Sequence, residues 1–259
     1  MSQRPLILLS NDDGVHAKGL RTLHAALVDV ADVVVVAPLT EQSANSHSLT
    51  LARPLRHRLV DGFHAIDGTP ADCIYVGLFK GTIVPRKPDL VVSGINHGYN
   101  LGVDVLYSGT VAAAREGALR GVPAIAFSYG TGEGNDMAAA ATVARGIVER
   151  ALVELRERAV PVPLLSVNFP AGRASFEGIR ATKLGRRLYD DSLEVRRDPR
   201  GHEYFWVGGP GAYHEHVSGS DTEAVDAGFV SITPLRIDQS EPAYLELAAR
   251  IAGTTEENT

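Results

Sequence analysis

The 259-residue sequence predicts an α/β fold: a Rossmann-like, mostly parallel sheet flanked by helices, with a β-rich C-terminal extension. Three observations predict it. Short continuous apolar runs alternate with segments of helical period up to about residue 170. Hydrophobic residues make up 44% of the chain but aromatics only 6%, so Val, Ala and Leu carry the apolar mass, which suits strands buried on both faces. After Pro170 the alternation gives way to short β-like runs.

The elements follow in order. Pro5 to Ser10 reads as a buried strand, and residues 17 to 29 place Leu20, Leu23, Leu27 and Val28 at helical spacing. Asp32 to Ala37 is a second buried strand closed by Pro38, giving a βαβ unit with a right-handed crossover. Residues 38 to 48 are a polar loop, and Thr50 to Ile66 reads as a hairpin turning at Asp61-Gly62. Thr69 as N-cap and Pro70 as first residue start a helix running to about Phe79. Leu90 to Ser93 is the third buried strand, followed by a glycine-rich loop from Gly94 to Gly109 and a helix capped by Thr110. Val122 to Ser128 is a fourth strand, and 128 to 136 a surface turn. Residues 137 to 158 form the longest amphipathic helix, and Leu164 to Phe169 a fifth strand. Beyond it, β-like runs fall near 178 to 184, 187 to 196 and 203 to 208. Phe229 to Leu235 is a last strand, and a helix starts near Ser240. The tail TTEENT reads as frayed. With no internal repeat and no long linker, residues 1–259 read as one domain: a core over 1–170 and an extension over 171–259 that ends in a helix.

The formal net charge of −6 disfavours non-specific nucleic-acid binding, so no stable nucleic-acid complex is expected. One cysteine, Cys73, excludes an intramolecular disulfide and reads as a buried small hydrophobe. The apolar run Leu6 to Leu9 is too short for a signal peptide or a span, and no later segment suits a bilayer, so the expectation is a cytoplasmic protein without membrane contact.

Ligands of open parallel sheets bind beyond the carboxyl ends of the strands. Three polar loops should therefore converge: Ser10 to Gly14, Glu41 to Ser48, and Ser93 to Thr110. Asp12 and Asp13 are adjacent carboxylates at a strand end, where their mutual repulsion and lost solvation would be offset by a hard cation such as Mg²⁺ or Mn²⁺. Taken alone, the dipeptide also reads as an ordinary Asp-Asp-Gly turn. Ser43, Asn45, Ser46, His47 and Ser48 offer hydroxyl and amide groups that equally suit plain loop chemistry. Asn96 supplies a neutral amide oxygen suited to a metal, while Asn100 can serve a turn of positive φ. Ser108, Gly109 and Thr110 open a helix, where main-chain N–H groups and two hydroxyls make a phosphate cradle. His97 suits a ligand, an acid or a solvated loop residue, and the sequence does not separate these. His214 and His216 read as loop histidines, and Trp206 as packed on a β surface, either in the core or at a subunit contact. The dinucleotide fingerprint, the P-loop, the nucleophile elbow and the D-x-D spacing of aspartyl-phosphate enzymes are all missing.

At these residues the chain resembles the SurE (survival protein E) family of 5′/3′-nucleotidases. The matching segments include ILLSNDDGVHAKGL, HSLTL, DGTPADCIYVGL, PDLVVSGINHGYNLG and YSGTVAAAREGALRGVPAIAFS, with DPRG and DTEAVDAGFVSITPL further on. One position departs: the family pattern often carries Arg where Gln42 stands, so that positive charge is missing. The resemblance implies one divalent cation per subunit, Mg²⁺ or Mn²⁺, bound by Asp12, Asp13, Ser43 and Asn96. It implies hydrolysis of nucleoside 5′- and 3′-monophosphates, admits short polyphosphate, and implies a homodimer or homotetramer with C-terminal segments exchanged between subunits. The expected chemistry is metal-assisted attack of water on the phosphoryl group, with Asp12 or Asp13 as general base. In this scheme Ser108, Gly109 and Thr110 hold phosphate oxygens, with Asn45 and His47 as further contacts. The competing reading is a non-catalytic nucleotide or phosphate sensor on the same fold.

Overall fold

A computed structural model describes residues 4–157, 163–189, 192–208 and 211–253. The strand β1 (Leu6–Ser10) is buried along its whole length. It feeds α1 (Lys18–Leu27), which turns Leu20, Leu23 and Leu27 inward and returns the chain to β2 (Asp32–Pro38). The hairpin β3 (His57–Val60) and β4 (Phe63–Ile66) turns where expected, with positive φ at both Asp61 (51°) and Gly62 (84°), the requirement of a tight two-residue turn. α2 (Pro70–Phe79) starts on a capping box: Thr69 Oγ1 accepts the Asp72 N–H at 3.1 Å and Asp72 Oδ2 accepts the Thr69 N–H at 2.9 Å. Asp72 Oδ1 also accepts the Thr50 N–H at 2.9 Å, tying the preceding loop to this helix.

β5 (Leu90–His97) runs four residues further than the sequence suggests, into the segment expected to be loop. A register shift between Ser93 and Asn96 conceals it from the apolar pattern. At the shift Gly94 has φ +122°, and a Cβ there would lie 2.3 Å from the Phe127 carbonyl oxygen, so only glycine fits. A short 3-10 helix (Gly102–Leu106) follows, then α3 (Gly109–Leu119). The N-cap of α3 is Ser108, whose Oγ accepts the Val111 N–H at 3.0 Å; Thr110, expected as the cap, lies inside the first turn. β6 (Ala124–Tyr129), α4 (Met137–Glu157) and β7 (Leu164–Phe169) complete the alternating part.

Beyond residue 170 the chain divides. β8 (Ile179–Ala181) joins the central sheet, whereas β9 (Arg186–Tyr189), β10 (Leu193–Arg197), β11 (Glu203–Val207) and β12 (Ala212–Glu215) form two small antiparallel pairs, β10 with β11 and β9 with β12. α5 (Asp221–Asp226) precedes β13 (Val230–Leu235), which pairs antiparallel with β7 and parallel with β8. A 3-10 turn (Pro242–Tyr244) and α6 (Leu245–Ala252) end the described chain; the TTEENT tail lies outside the described residues. The extension thus supplies both an edge of the central sheet and separate hairpins. Trp206 is 60% exposed on β11, which rules out the core alternative of its two expected placements.

The central sheet has the order β3-β4-β2-β1-β5-β6-β7-β13-β8. Its parallel heart, β2-β1-β5-β6-β7, reverses direction of winding between β1 and β5, and the crevice beyond that switch point is where such sheets bind ligands. Helices cover both faces. Ile7, Leu9, Val92, Ile125, Phe127 and Phe169 pack with α1 and α4 on one side. Leu8, Val36, Val91, Ala124 and Ala126 pack with α2 and α3 on the other. This two-faced burial explains the unbroken apolar strands.

Candidate metal and phosphate site at the β1–β5 switch point

The chain leaves β1 through Asn11, Asp12 and Asp13. Asn11 Nδ2 donates to the Gly14 carbonyl at 3.0 Å, and the Gln42 N–H donates to the Asp12 carbonyl at 2.7 Å, so the loops after β1 and β2 are laced together. The second loop is in turn fixed to the 3-10 helix: the Ser46 hydroxyl donates to the Leu106 carbonyl at 2.6 Å and its N–H to that of Tyr107 at 2.9 Å. The three loops expected to converge are therefore in contact.

Asp12 is buried, 3% exposed, against the start of α3. The Thr110 hydroxyl donates to its Oδ1. A Cβ on Gly109 would lie 2.8 Å from Asp12 Cβ, so the missing side chain is what lets the carboxylate reach the helix N-terminus. Burial pushes the Asp12 carboxyl up to about 6, with the Asp13 charge adding to the effect and the Thr110 hydroxyl opposing it. Burial also raises Asp13, opposed by the main-chain N–H of His97, which donates to its Oδ2 at 3.2 Å, and by the His97 ring; the charge of Glu41 adds to the rise. Among the described residues no Lys, Arg or His lies within 4.0 Å of either carboxylate.

Asp12, Ser43, Asn96 and Ser108 line one cavity of about 290 Å³, together with His97 and Asn100. Asn96 Nδ2 donates to the Gly98 carbonyl at 3.0 Å, which leaves Oδ1 as the free acceptor end. The Ser43 hydroxyl donates to Glu41 Oε1 at 2.8 Å, leaving its oxygen lone pairs available. Ser108 Oγ spends a lone pair on the helix cap and retains its proton for a ligand. Asp13 does not itself line the cavity but is held beside it by the His97 N–H; with it, a donor set of two carboxylates, one amide and one hydroxyl oxygen fits a hard divalent cation. It contains no cluster of three His, Cys, Asp or Glu among the described residues, so half of its four ligands are neutral.

Other expected residues sit elsewhere. His47 Nε2 lies 2.8 Å from Oε2 of the buried Glu116, whose Oε1 accepts from Arg120 Nε at 2.8 Å; His47 does not line the cavity. Burial would raise the Glu116 carboxyl, but the bonds and charges of His47 and Arg120 bring it below its ordinary value. The exposed Asn45 donates to Gln42 Oε1 at 2.6 Å. Thr110 is spent on Asp12, and Asn100, rather than serving a turn, is buried with Nδ2 donating to Ser128 Oγ at 2.7 Å. His214, expected in a loop, lies in β12, with its ring nitrogen 2.8 Å from an Asp226 carboxylate oxygen.

The cavity's far wall was not legible in the sequence. Asp104 accepts from Arg187 Nη1 and, at 2.7 Å, from the Tyr189 hydroxyl, and the Arg187 guanidinium lies 5.7 Å from the Tyr99 ring and 5.4 Å from that of Tyr189. Partial burial and the Asp104 acceptor push the Tyr189 phenol up to about 12. Buried Asp221 positions this wall by accepting the Gly102 N–H at 3.0 Å and the Gly185 N–H at 2.6 Å. It opens α5, and the Ser220-x-x-Glu223 pattern before it was the signal available in sequence.

Comparison with known proteins places this arrangement in a family. The family described as Survival protein SurE matches residues 7–191. A protein of Sorangium cellulosum named 5′-nucleotidase SurE is 58% identical over 252 residues, 96% of each chain. One of the same name from Vibrio vulnificus is 47% identical over 241 residues, 91% of each chain. The crystal structure of the SurE protein from Aquifex aeolicus superposes with a TM-score of 0.81 at 37% identity, covering 96% of this chain and all of that one. From β1 to the wall formed by β9, and in fold as in sequence, this chain belongs to the SurE family.

Proposed function

We propose that this chain is a phosphoric monoester hydrolase, a 5′-nucleotidase that converts nucleoside 5′-monophosphates to nucleoside and phosphate with the aid of one divalent cation. The relatives named as 5′-nucleotidases support the reaction class. The observation that carries the cation is the buried, cation-free Asp12 sharing a cavity with Ser43, Asn96 and Ser108.

In this reading Asp12, Asp13, Ser43 and Asn96 hold a Mg²⁺ or Mn²⁺ ion, which when bound supplies Lewis-acid polarisation of a phosphoryl oxygen and a water of lowered pKa. The chain's own groups do the rest. Thr110 fixes the Asp12 rotamer, and the His97 N–H does the same for Asp13. The Ser108 hydroxyl and the Gly109 N–H that opens α3 hold phosphate oxygens, favoured by the helix dipole, while the Val111 and Thr110 N–H groups are taken by Ser108 Oγ and Asp12. The Asp12 or Asp13 carboxylate takes the proton of the attacking water. The Asp104–Arg187–Tyr189 wall bounds the nucleoside side of the cavity. Action on 3′-monophosphates and short polyphosphate belongs to the same proposal, as does assembly into a homodimer or homotetramer through the C-terminal segments. Among the described residues no helix is long and apolar enough to cross a membrane.

The test is phosphate release from AMP, 3′-AMP and tripolyphosphate in parallel. AMP turnover that falls at least a hundredfold in Asp13→Asn supports the reading. Binding of AMP without turnover by the wild-type chain would replace it with the sensor.

A further inference from the structure

A second cavity, of about 530 Å³, shares no residue with the first. It opens between α3, the segment after β8 and the end of β13, and three cations line it: Arg115, Lys183 and Arg236. Arg115 is only 9% exposed. One of its terminal nitrogens donates to the Val105 carbonyl at 3.0 Å, but its buried Nε–H has no partner. Among the described residues none of the three cations lies within 4.0 Å of a carboxylate. The single acid on the rim, Asp238, accepts the Ser240 N–H at 2.8 Å and also feels the charge of Arg236, leaving three cations against one acid. A chain of net charge −6 thus concentrates a net positive charge around a nearly buried guanidinium. An unpaired cation and an orphaned N–H in such a place are costly unless a ligand satisfies them.

Apart from Thr182 and Gln239, the rest of the lining is apolar, with Leu106, Leu184 and Leu235 its larger members. Cations at one part and aliphatic side chains at another suit a ligand with an anionic group and an apolar body. From the orphaned Arg115 Nε, the excess positive charge of Lys183 and Arg236 beside it, and the aliphatic wall, we infer that this cavity binds an organic phosphate, at a site separate from the catalytic one. Its phosphate meets Arg115, Lys183 and Arg236, and its body lies on the leucines. The 3-10 helix Gly102–Leu106 is common to both cavities, since Asp104 lines the first while Val105 and Leu106 line the second.

The test is calorimetric titration of the full chain with ADP in EDTA, so that a metal-assisted complex at the first cavity does not form, with orthophosphate as the comparison. The expected result is saturable ADP binding at least about tenfold tighter than orthophosphate, weakened about fivefold or more in Lys183→Gln and in Arg236→Gln. Both side chains are exposed, so neither variant threatens folding; Arg115→Met should abolish binding if it folds. No saturable ADP binding, equal binding of orthophosphate, or unchanged affinity in the Lys183→Gln/Arg236→Gln double variant would each overturn the inference. None of these outcomes depends on whether the chain hydrolyses AMP.

Discussion

The hydroxyl of Thr110, in the first turn of α3, donates to Oδ1 of Asp12 at the end of β1, joining residues 98 positions apart. This bond fixes which way the proposed metal ligand points. Thr110→Val should therefore lower kcat/KM for AMP about ten- to a hundredfold and shift the Mn²⁺ activation curve to higher concentration, whereas Thr110→Ser should stay near wild type. Titration of activity against Mn²⁺ in the three proteins checks this.

Gly109 admits no side chain, because a Cβ would stand 2.8 Å from Asp12 Cβ and 3.1 Å from Pro70 Cγ, neither of which is a flexible tip. Gly109→Ala is expected to displace Asp12 and cost at least about tenfold in kcat/KM, since small misplacements of a reacting group are expensive. Circular dichroism should show the helix content unchanged.

Asp12 carries a stability cost in the metal-free chain. Its folded pKa of about 6 lies above the ordinary carboxyl value of 3.8, so the native state binds the proton more tightly than the unfolded chain. Stability from this group is full below about pH 4 and is lost as pH rises through 6. Asp12→Asn should then melt higher than wild type in EDTA at pH 8, by up to roughly 3 kcal/mol, and the gap should close near pH 4. Excess metal should narrow the gap at pH 8 by stabilising only the wild type.

Glu116 shows the opposite sign. Its folded pKa is depressed by His47 and Arg120, so its contribution is present above the unfolded value and fades as pH falls through the folded one. Glu116→Gln should cost about 1–3 kcal/mol at pH 7, less in acid. Because His47 faces Glu116 and not the cavity, His47→Gln should lower Tm while leaving kcat/KM for AMP within about threefold.

Much of the fold was legible because the strands are buried on both faces and the helices between them are amphipathic or well capped. Residues 6–9 and 33–37 show this as unbroken apolar runs. The extension of β5 to His97 was hidden by the register shift, which puts Gly94, Asn96 and His97 where a strand pattern should continue. Thr110 and Ser108 are equally good caps by type; only the register of α3 decides between them, and it releases Thr110 for Asp12. The convergence of Asp12, Ser43, Asn96 and Ser108 followed from the strand-end rule. The opposite wall did not, because Asp104, Arg187 and Tyr189 meet across 83 to 85 residues through pairings that no local pattern encodes. His47 and Asn45 share a polar loop with Ser43, yet loop composition says nothing about which side chains turn outward.

The central claim is that the carboxylates at the end of β1 work through a divalent cation. Phosphate release from AMP should be measured on protein stripped with EDTA, then with Mg²⁺ or Mn²⁺ restored, in wild type and in Asp12→Asn. The account predicts activity lost in chelator, recovered on adding metal to the wild type, and not recovered in the variant. Full wild-type activity in EDTA would contradict it.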